Sequence, residues 1–527
     1  MLVGYVSDER YVAIPDVLLE FESSHGSWET RSRASGSVHL EIPPGEYRVT
    51  LNKPGFGGKR VTMTVSPGAP YQFRLLSDCL LGYPWPKWVR EGEQSEFRVH
   101  SPEAYELELY RCGLEKQLIR KLGWYDEHGP RATVQITPDG DYTRTGVEWN
   151  KFGYANPALK QYVTAPAPSG LYYFQARTKS GLYFSFPWIV APAKPRHSLA
   201  VLASNITWNA YNAFGGRSNY INADQLPPVP CVNSRQELHR YTDPEYVNYS
   251  VWDYAPLSFE RPESINVIPD EETIDKPIEG RAACHIAPAE WRLLGWLERE
   301  GFAYDYYAET QLHDGTLNLD DYDTLLISTH PEYWSKEMYF GVKQWVHERG
   351  GKLVYLGGNG LNCEVRFTDP TTMVVMNGDE SDRIAKGVAE SRFAVYHESE
   401  ANLLGVVFTY DGIMTSAPYQ VTDASHWAYQ GTGMKNGDLF GHASLHRRVP
   451  GGASGHETDK VSPHSPANVK ILAHGQNPEN GGAHIVTYDT PSGGEVFSVG
   501  SITWPSSILV DPVVSRMTRN VLERFLK

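Results

Sequence analysis

Nowhere in the 527 residues is there an apolar run of about 18, the length a helix needs to cross a bilayer, so no membrane span is expected. Long basic tracts are missing too. With a net charge of −15, this excludes nucleic acid and anionic membranes as expected partners. Cysteine is scarce: Cys79, Cys112, Cys231, Cys284 and Cys363 are odd in number, scattered and never in a CxxC pair. That excludes a disulfide framework and a thiolate zinc site. There is no HExxH and no paired-histidine motif. The opening residues Met1 to Asp8 lack a basic segment followed by an apolar one, which reads as a cytoplasmic protein.

What remains is the composition of a globular chain, 41% hydrophobic and 21% charged, long enough for about three domains. Thirty-two tyrosines and fourteen tryptophans are many, and packing is the ordinary role of each. Residues 1–78 read as all-β. Val38–Ile42 and Tyr47–Leu51 alternate with period two around Pro43-Pro44-Gly45, and Pro54-Gly55-Phe56 closes the second strand. These turns resemble those of the small β-sandwich known as a carboxypeptidase regulatory-like domain, which implies a structural or interaction module. Residues 79–190 read as a second β-sandwich, Ig-like or jelly-roll-like, on the alternation in Glu96–His100, Glu106–Tyr110 and Leu171–Arg177. Ala191 to Arg196 is a proline-spaced linker.

From residue 197 strands alternate with helices. Strand patterns at Leu199–Ala203, Asp323–Ser328 and Lys352–Leu356 interleave with helical ones at Ala287–Glu300, Lys336–Arg349 and Pro512–Lys527. The expectation for 197–527 is an α/β domain with a largely parallel sheet. Residues 437–466, rich in Gly, Ser, His and Pro, read as a long loop of the kind that is functional or mobile.

Open α/β sheets place their chemistry at the carboxyl ends of strands. If the three strands are parallel neighbours, Tyr211, His330, Glu332 and Asn359 converge at one edge. The turn Gly357-Gly358-Asn359-Gly360 occupies the place of a nucleophile elbow but carries Asn359, and Cys363 comes four residues late. An asparagine cannot attack a carbonyl, though its amide can donate to an oxyanion. A metal is the natural substitute for the missing nucleophile. The phenols of Tyr211 and Tyr220 and the carboxylate of Glu332 are hard donors suited to Fe(III). The alternatives stay open: His330 as a cap for the helix that follows, Asn359 as a turn residue, Glu457 as a solvated charge.

Six motifs together resemble the large (beta) subunit family of N,N-dimethylformamidase. They are Thr207-Trp208-Asn209-Ala210-Tyr211-Asn212, Gly215 to Tyr220, Phe259 to Pro262, His330 to Trp334, Gly357 to Gly360 and Gly455 to Asp459. The resemblance spans roughly residues 80–527. It implies a class I glutamine amidotransferase-like catalytic domain that has lost its cysteine. It also implies a mononuclear iron held by Tyr211, Tyr220 and Glu332, with Glu457 as general base and His330 and Asn359 holding substrate or water. Tyr249 and Tyr254 are alternative second tyrosines. The implied activity is hydrolysis of a small amide, urea or carbamate, in a homo-oligomer or with a small partner subunit. The rival expectations are a non-catalytic carbohydrate- or protein-binding relative and an amidotransferase-like enzyme using Cys363.

Overall fold

The computed structural model describes residues 1–125, 135–149, 161–232, 254–276, 285–376, 386–387 and 389–527. The strands between Leu2 and Arg74 form a three-stranded and a four-stranded sheet. Val6, Leu19, Phe21, Val49 and Phe73 from both sheets share one buried core. The pattern at Tyr47–Leu51 is the centre of a longer strand, Gly45–Lys53, whereas only Ser37–His39 of the Val38–Ile42 pattern is paired. Strands between Leu81 and Ala191 form a second pair of sheets, three-stranded and five-stranded, around Phe97, Leu107, Phe174 and Trp188.

The remaining residues are built on a nine-stranded sheet. Its strands in chain order are β1 (Leu199–Ala203), β2 (Asp305–Ala308), β3 (Thr324–Thr329), β4 (Lys352–Gly357), β5 (Tyr419–Val421), β6 (Leu439–Phe440), β7 (Lys470–Gly475), β8 (His484–Asp489) and β9 (Glu495–Ser498). The spatial order is β2-β1-β3-β4-β9-β8-β7-β5-β6. Among the helices that accompany it are α1 (Asn205–Tyr211), α2 (Ala287–Glu300), α3 (Lys336–Arg349) and α4 (Pro512–Phe525). Alternate residues along β1 and β3 face opposite ways, as the strand period requires. Val201 and Leu326 pack with Trp291, Leu294, Met517 and Val521 of α2 and α4. Ala200, Leu202, Leu325 and Ile327 pack with Met338, Val342 and Trp345 of α3. Helix limits follow from local chemistry. Ser335 caps α3 by accepting from Met338 N, Asp511 caps α4, and Gly301 and Gly350 end α2 and α3 in the left-handed conformation.

The expectation of a largely parallel, class I glutamine amidotransferase-like α/β domain is overturned. Strand outweighs helix by 36% to 18%. Within the nine-stranded sheet, the pairs β2·β1, β1·β3, β3·β4 and β4·β9 are parallel, but β9·β8, β8·β7, β7·β5 and β5·β6 are antiparallel. The reason lies in the connections. Parallel neighbours need a crossover, usually a helix, whereas antiparallel ones need only a turn. Among the described residues no α-helix intervenes between Leu404 and Trp504. β8 reaches β9 through the five residues Thr490 to Gly494, closed by Gly493 N donating to Thr490 O at 3.0 Å. No helix of the described residues is long and apolar enough to cross a membrane.

One buried acid makes stability depend on pH. Glu290 of α2 is 2% exposed, and burial pushes its carboxyl up to about 8, against the indole N–H of Trp208 at 2.8 Å and the backbone N–H of Ser204. A carboxyl raised in the folded state binds more protons than in the unfolded one. Its contribution is therefore complete below about pH 4.5 and is lost as pH rises towards 8. The slope from this group is at most about 1.4 kcal/mol per pH unit. Urea midpoints compared at pH 5.5 and pH 7.5 should fall with pH in the wild type and fall less in Glu290→Gln; equal slopes would show Glu290 ionised in the fold.

Candidate metal and hydrolytic site

β1, β3 and β4 are parallel neighbours, with Val201 opposite Leu326 and Thr329 opposite Gly357. Helix α1 leaves the end of β1 and carries Tyr211. His330 and Glu332 follow β3 directly, and Asn359 follows β4. At the turn out of β3, Thr329 has φ +64, and Asn359, Leu361 and His456 are also left-handed at φ +50, +56 and +67. A β-branched residue pays most for that conformation, and such strain persists only where the surroundings fix it.

The acceptor at the centre is Glu332, 2% exposed. Its Oε2 accepts from the Tyr211 hydroxyl at 2.9 Å, the Tyr220 hydroxyl at 3.0 Å and His330 Nε2 at 2.9 Å. Oε1 faces Tyr220 at 3.2 Å and Arg392 Nη1 at 3.5 Å. The two phenol oxygens lie 2.9 Å apart. Glu332 N donates to Thr207 Oγ1 at 3.1 Å, which locks the carboxylate to α1. Tyr220 comes from the loop after α1. Arg261 ties that loop to α1, donating to Phe214 O at 2.7 Å and to Asn209 Oδ1 at 3.0 Å.

A second group lies alongside. Asn359 Nδ2 donates to Glu457 Oε2 at 2.8 Å, and Glu457 Oε2 is 3.6 Å from His330 Nε2. Asp459 Oδ1 accepts from Asn359 N at 2.7 Å and its Oδ2 from the Tyr355 hydroxyl at 2.8 Å. Gly358 is required here, because a Cβ on it would lie 2.4 Å from the Glu457 carbonyl oxygen. The long segment 437–466 is thereby pinned at its functional end: Ser454–Gly455 and Thr458–Lys460 are short strands on either side of Glu457.

The electrostatics follow from burial and partners. Burial works to raise Glu332, but His330, Arg392 and Tyr211 outweigh it and hold the carboxyl below its usual range. Burial works to lower His330, but the carboxylates of Glu457 and Glu332 and the Gly358 carbonyl raise it to about 9. Both ring nitrogens face acceptors, Gly358 O at 3.0 Å and Glu332, as a doubly protonated imidazole requires. Burial, then Glu332, push the Tyr220 phenol far above its ordinary value. Asp459 is pushed to about 7 by burial, against the bonds from Tyr355 and Asn359 N.

The site thus brings together Tyr211, Tyr220, His330, Glu332, Asn359 and Glu457. His330 does not cap α3, since Ser335 does. Tyr254 is buried next to Ala255, whose carbonyl takes a bond from Arg217; Tyr249 lies outside the described residues. Cys363 is buried at the start of the strand Cys363–Asp369, with Sγ towards the Met376 carbonyl at 3.4 Å, and is not at the elbow. Sequence reasoning missed Arg392, Tyr333 (bonded to Tyr220 and to Asn219), Thr207 and Asp459. Three of these stand inside the six family motifs; Arg392 stands in none. The donor set fits a hard cation: two phenols and a carboxylate present oxygens 2.9 to 3.2 Å apart, the spacing of adjacent ligands around an octahedral ion with oxygen donors. Among the described residues no cluster of three His, Cys, Asp or Glu forms an alternative metal site.

This three-oxygen group stands beside a carboxylate and an amide at the ends of parallel strands, where open α/β sheets bind ligands. Residues 111–515 match the sequence profile of the family described as N,N-dimethylformamidase beta subunit-like, C-terminal, and the chain belongs to that family. It is 27% identical over 399 residues to the N,N-dimethylformamidase beta subunit of Paracoccus aminophilus, covering 65% of this chain and 50% of that one. To the beta subunit from Alcaligenes sp it is 27% identical over 286 residues, 46% of this chain and 37% of that one. The chain thus spans about half the length, or less, of these curated relatives. A solved β-galactosidase from Rahnella sp. R3 is 10% identical, covers 45% of this chain and 27% of its own, and has a TM-score of 0.25, too low to bear on the fold.

Asp459 anchors the Asn359 turn, and Asp459→Ala strands the N–H of Asn359 and the hydroxyl of Tyr355 in the interior. Each orphaned donor costs about 1–3 kcal/mol. The expected result is a stability loss of that order in urea titration, with faster amide exchange at Asn359 and Gly360. Unchanged exchange there would mean that the turn is held by other contacts.

Proposed function

We propose that the chain is a hydrolase that cleaves the C–N bond of a small amide, such as N,N-dimethylformamide, to acid plus amine, with a mononuclear Fe(III) held by Tyr211, Tyr220 and Glu332. The observation that carries this reading is the packing of two phenol oxygens around one buried carboxylate, 2.9 to 3.2 Å apart. Family membership and the names of the relatives support the amide as substrate class. When bound, the ion supplies Lewis acidity towards a carbonyl and towards water.

The chain's own residues supply the rest. Glu457, 17% exposed in its side chain, is the carboxylate placed to take a proton from water and return it to the leaving amine. Asn359 spends one Nδ2 hydrogen on Glu457; the second points its donor capacity at the carbonyl oxygen as negative charge develops there. His330 holds Glu332 and faces Glu457, so one positive charge is shared between two carboxylates. Arg392 adds a second positive charge on the Glu332 side. The relatives are each named as a beta subunit, which supports assembly with a further chain or with copies of this one.

The test begins with metal content and the visible spectrum of purified protein. Stoichiometric iron and a phenolate-to-Fe(III) band, weakened or shifted in Tyr211→Phe, are expected. Glu457→Gln should keep its iron and lose at least about 100-fold in turnover of formamides, other amides or ureas. A protein that stays colourless and iron-free after ferric reconstitution would falsify the iron reading.

A further inference from the structure

Of the three oxygen donors, Tyr211 ends α1 and Glu332 stands three residues past β3, whereas the Tyr220 phenol is carried on the longer loop after α1, and that loop is held from outside the nine-stranded sheet. Gly215 N donates to the Glu9 carbonyl at 2.6 Å, and the Gly215 carbonyl accepts from Arg74 Nη2 at 2.9 Å. The Tyr11 hydroxyl donates to the Pro227 carbonyl at 2.6 Å, and Gln72 Nε2 to the Pro228 carbonyl at 2.9 Å. Cys231 N donates to Tyr11 O at 3.1 Å, and Ala13 N to Cys231 O at 2.7 Å. The segment from 215 to 231 is therefore bonded at both ends to the N-terminal module, with Tyr220 between.

The contact is built rather than grazing. Arg74 and Tyr11 are both 0% exposed. The Arg74 guanidinium also serves the Asp8 carbonyl and the Tyr142 hydroxyl at 2.9 Å each, and lies 4.2 Å from the centre of the Tyr142 ring. Gly216, at φ +97, approaches so closely that a Cβ there would lie 2.4 Å from Tyr11 Cβ. Tyr11 itself takes φ +64, which an aromatic residue adopts only under tertiary constraint. These N-terminal strands lie outside residues 111–515 that match the family, so the brace is argued from this chain's contacts alone.

We propose that the N-terminal β-module positions the metal site: through Tyr11, Gln72 and Arg74 it fixes the 215–231 segment and so sets the Tyr220 phenol against Tyr211 and Glu332. This rests on Tyr220 being an iron ligand. The physical basis is preorganisation. A ligand on a loose loop must be ordered when the ion binds, and each residue so ordered costs backbone entropy. Groups that hold a ligand in place are worth about 10- to 100-fold in metal affinity.

The test uses the full chain. The double variant Tyr11→Phe/Gln72→Ala removes two bonds to the 227–228 carbonyls without burying an unpaired charge. Arg74→Lys alters the bond to Gly215, and Arg48→Ala, which breaks the exposed Arg48–Glu22 pair in the same module, is the control. Fe(III) affinity is measured by chelator competition, the charge-transfer band by visible spectroscopy, and amide exchange of residues 215–223 on metal-free protein. In the double variant we expect affinity to fall about tenfold or more, the band to shift or weaken, and exchange to quicken about tenfold, with Arg48→Ala unchanged. Wild-type affinity in both brace variants overturns the proposal. So does faster exchange with unchanged affinity, since the brace is then only structural. Tyr220→Phe separates the two ideas: if it abolishes the band while the brace variants leave affinity intact, the ligand assignment stands and the brace falls. If Tyr220→Phe binds iron as the wild type does, the ligand assignment falls and the brace with it.

Discussion

The constraint on which the site depends is an ionised carboxylate in a dry place. Glu332 is 2% exposed, and isolated burial of a carboxylate costs several kcal/mol or more. Its oxygens are met by two phenols, an imidazole and a guanidinium, and its own backbone N–H is met by Thr207. Those five partners arrive from four elements: α1, which carries Thr207 and Tyr211, the loop after it, the end of β3 and the helix Arg392–Tyr396. The carboxylate is therefore stable only when all of them are in place, which couples the site to the fold around it.

Two other buried carboxyls show that the partners, not burial, decide the charge. Glu290 and Glu309 are as dry as Glu332, at 2% and 0% exposure. Each is bonded by a tryptophan indole, Trp208 and Trp334, at 2.8 Å. An indole N–H brings no positive charge, so burial wins and both carboxyls are pushed up. At Glu332 the same burial is outweighed by His330 and Arg392, and the carboxyl is held down. One helix, α1, separates these cases: Trp208 bonds a neutral acid on α2, and Tyr211, three residues on, bonds the charged one.

Much of this is legible in the residues because the signals are local. Period-3.6 patterns ended by Gly301 and Gly350 give α2 and α3 to the residue, and continuous apolar runs give β1, β3 and β4. Once those strands are neighbours, His330, Glu332 and Asn359 must share an edge. The second half of the sheet is not legible. Its strands, such as Tyr419–Val421 and Leu439–Phe440, are two to six residues long, too short for a period to declare itself, and the hairpins that join them reverse direction without a helix. Extending the strand-helix alternation past Leu404 therefore yields a parallel sheet where an antiparallel one exists. Arg392 is invisible for another reason: a charged side chain at the start of a five-residue helix carries no local mark of the carboxylate it will meet.

The segment that joins β6 to β7 has a consequence for the site. In a doubly wound sheet every functional residue comes from a loop after a strand. Here Glu457 enters from a segment that pairs with other strands: Thr458–Lys460 is antiparallel to Val407–Thr409, and Ser454–Gly455 to Ser416–Ala417. Those pairings bring the Glu457 backbone so close to Gly358 that no side chain fits between them. Asp459, two residues on and on the same side of the strand, reaches Asn359 N and Tyr355. The turn where an elbow nucleophile would stand is thus filled by an amide and covered by a carboxylate from the segment between β6 and β7. The place of an attacking side chain is taken by a bonded pair, Asn359 Nδ2 and Glu457 Oε2, 2.8 Å apart. Two small two-stranded sheets, separate from the nine-stranded one, carry Glu457 across to the end of β4.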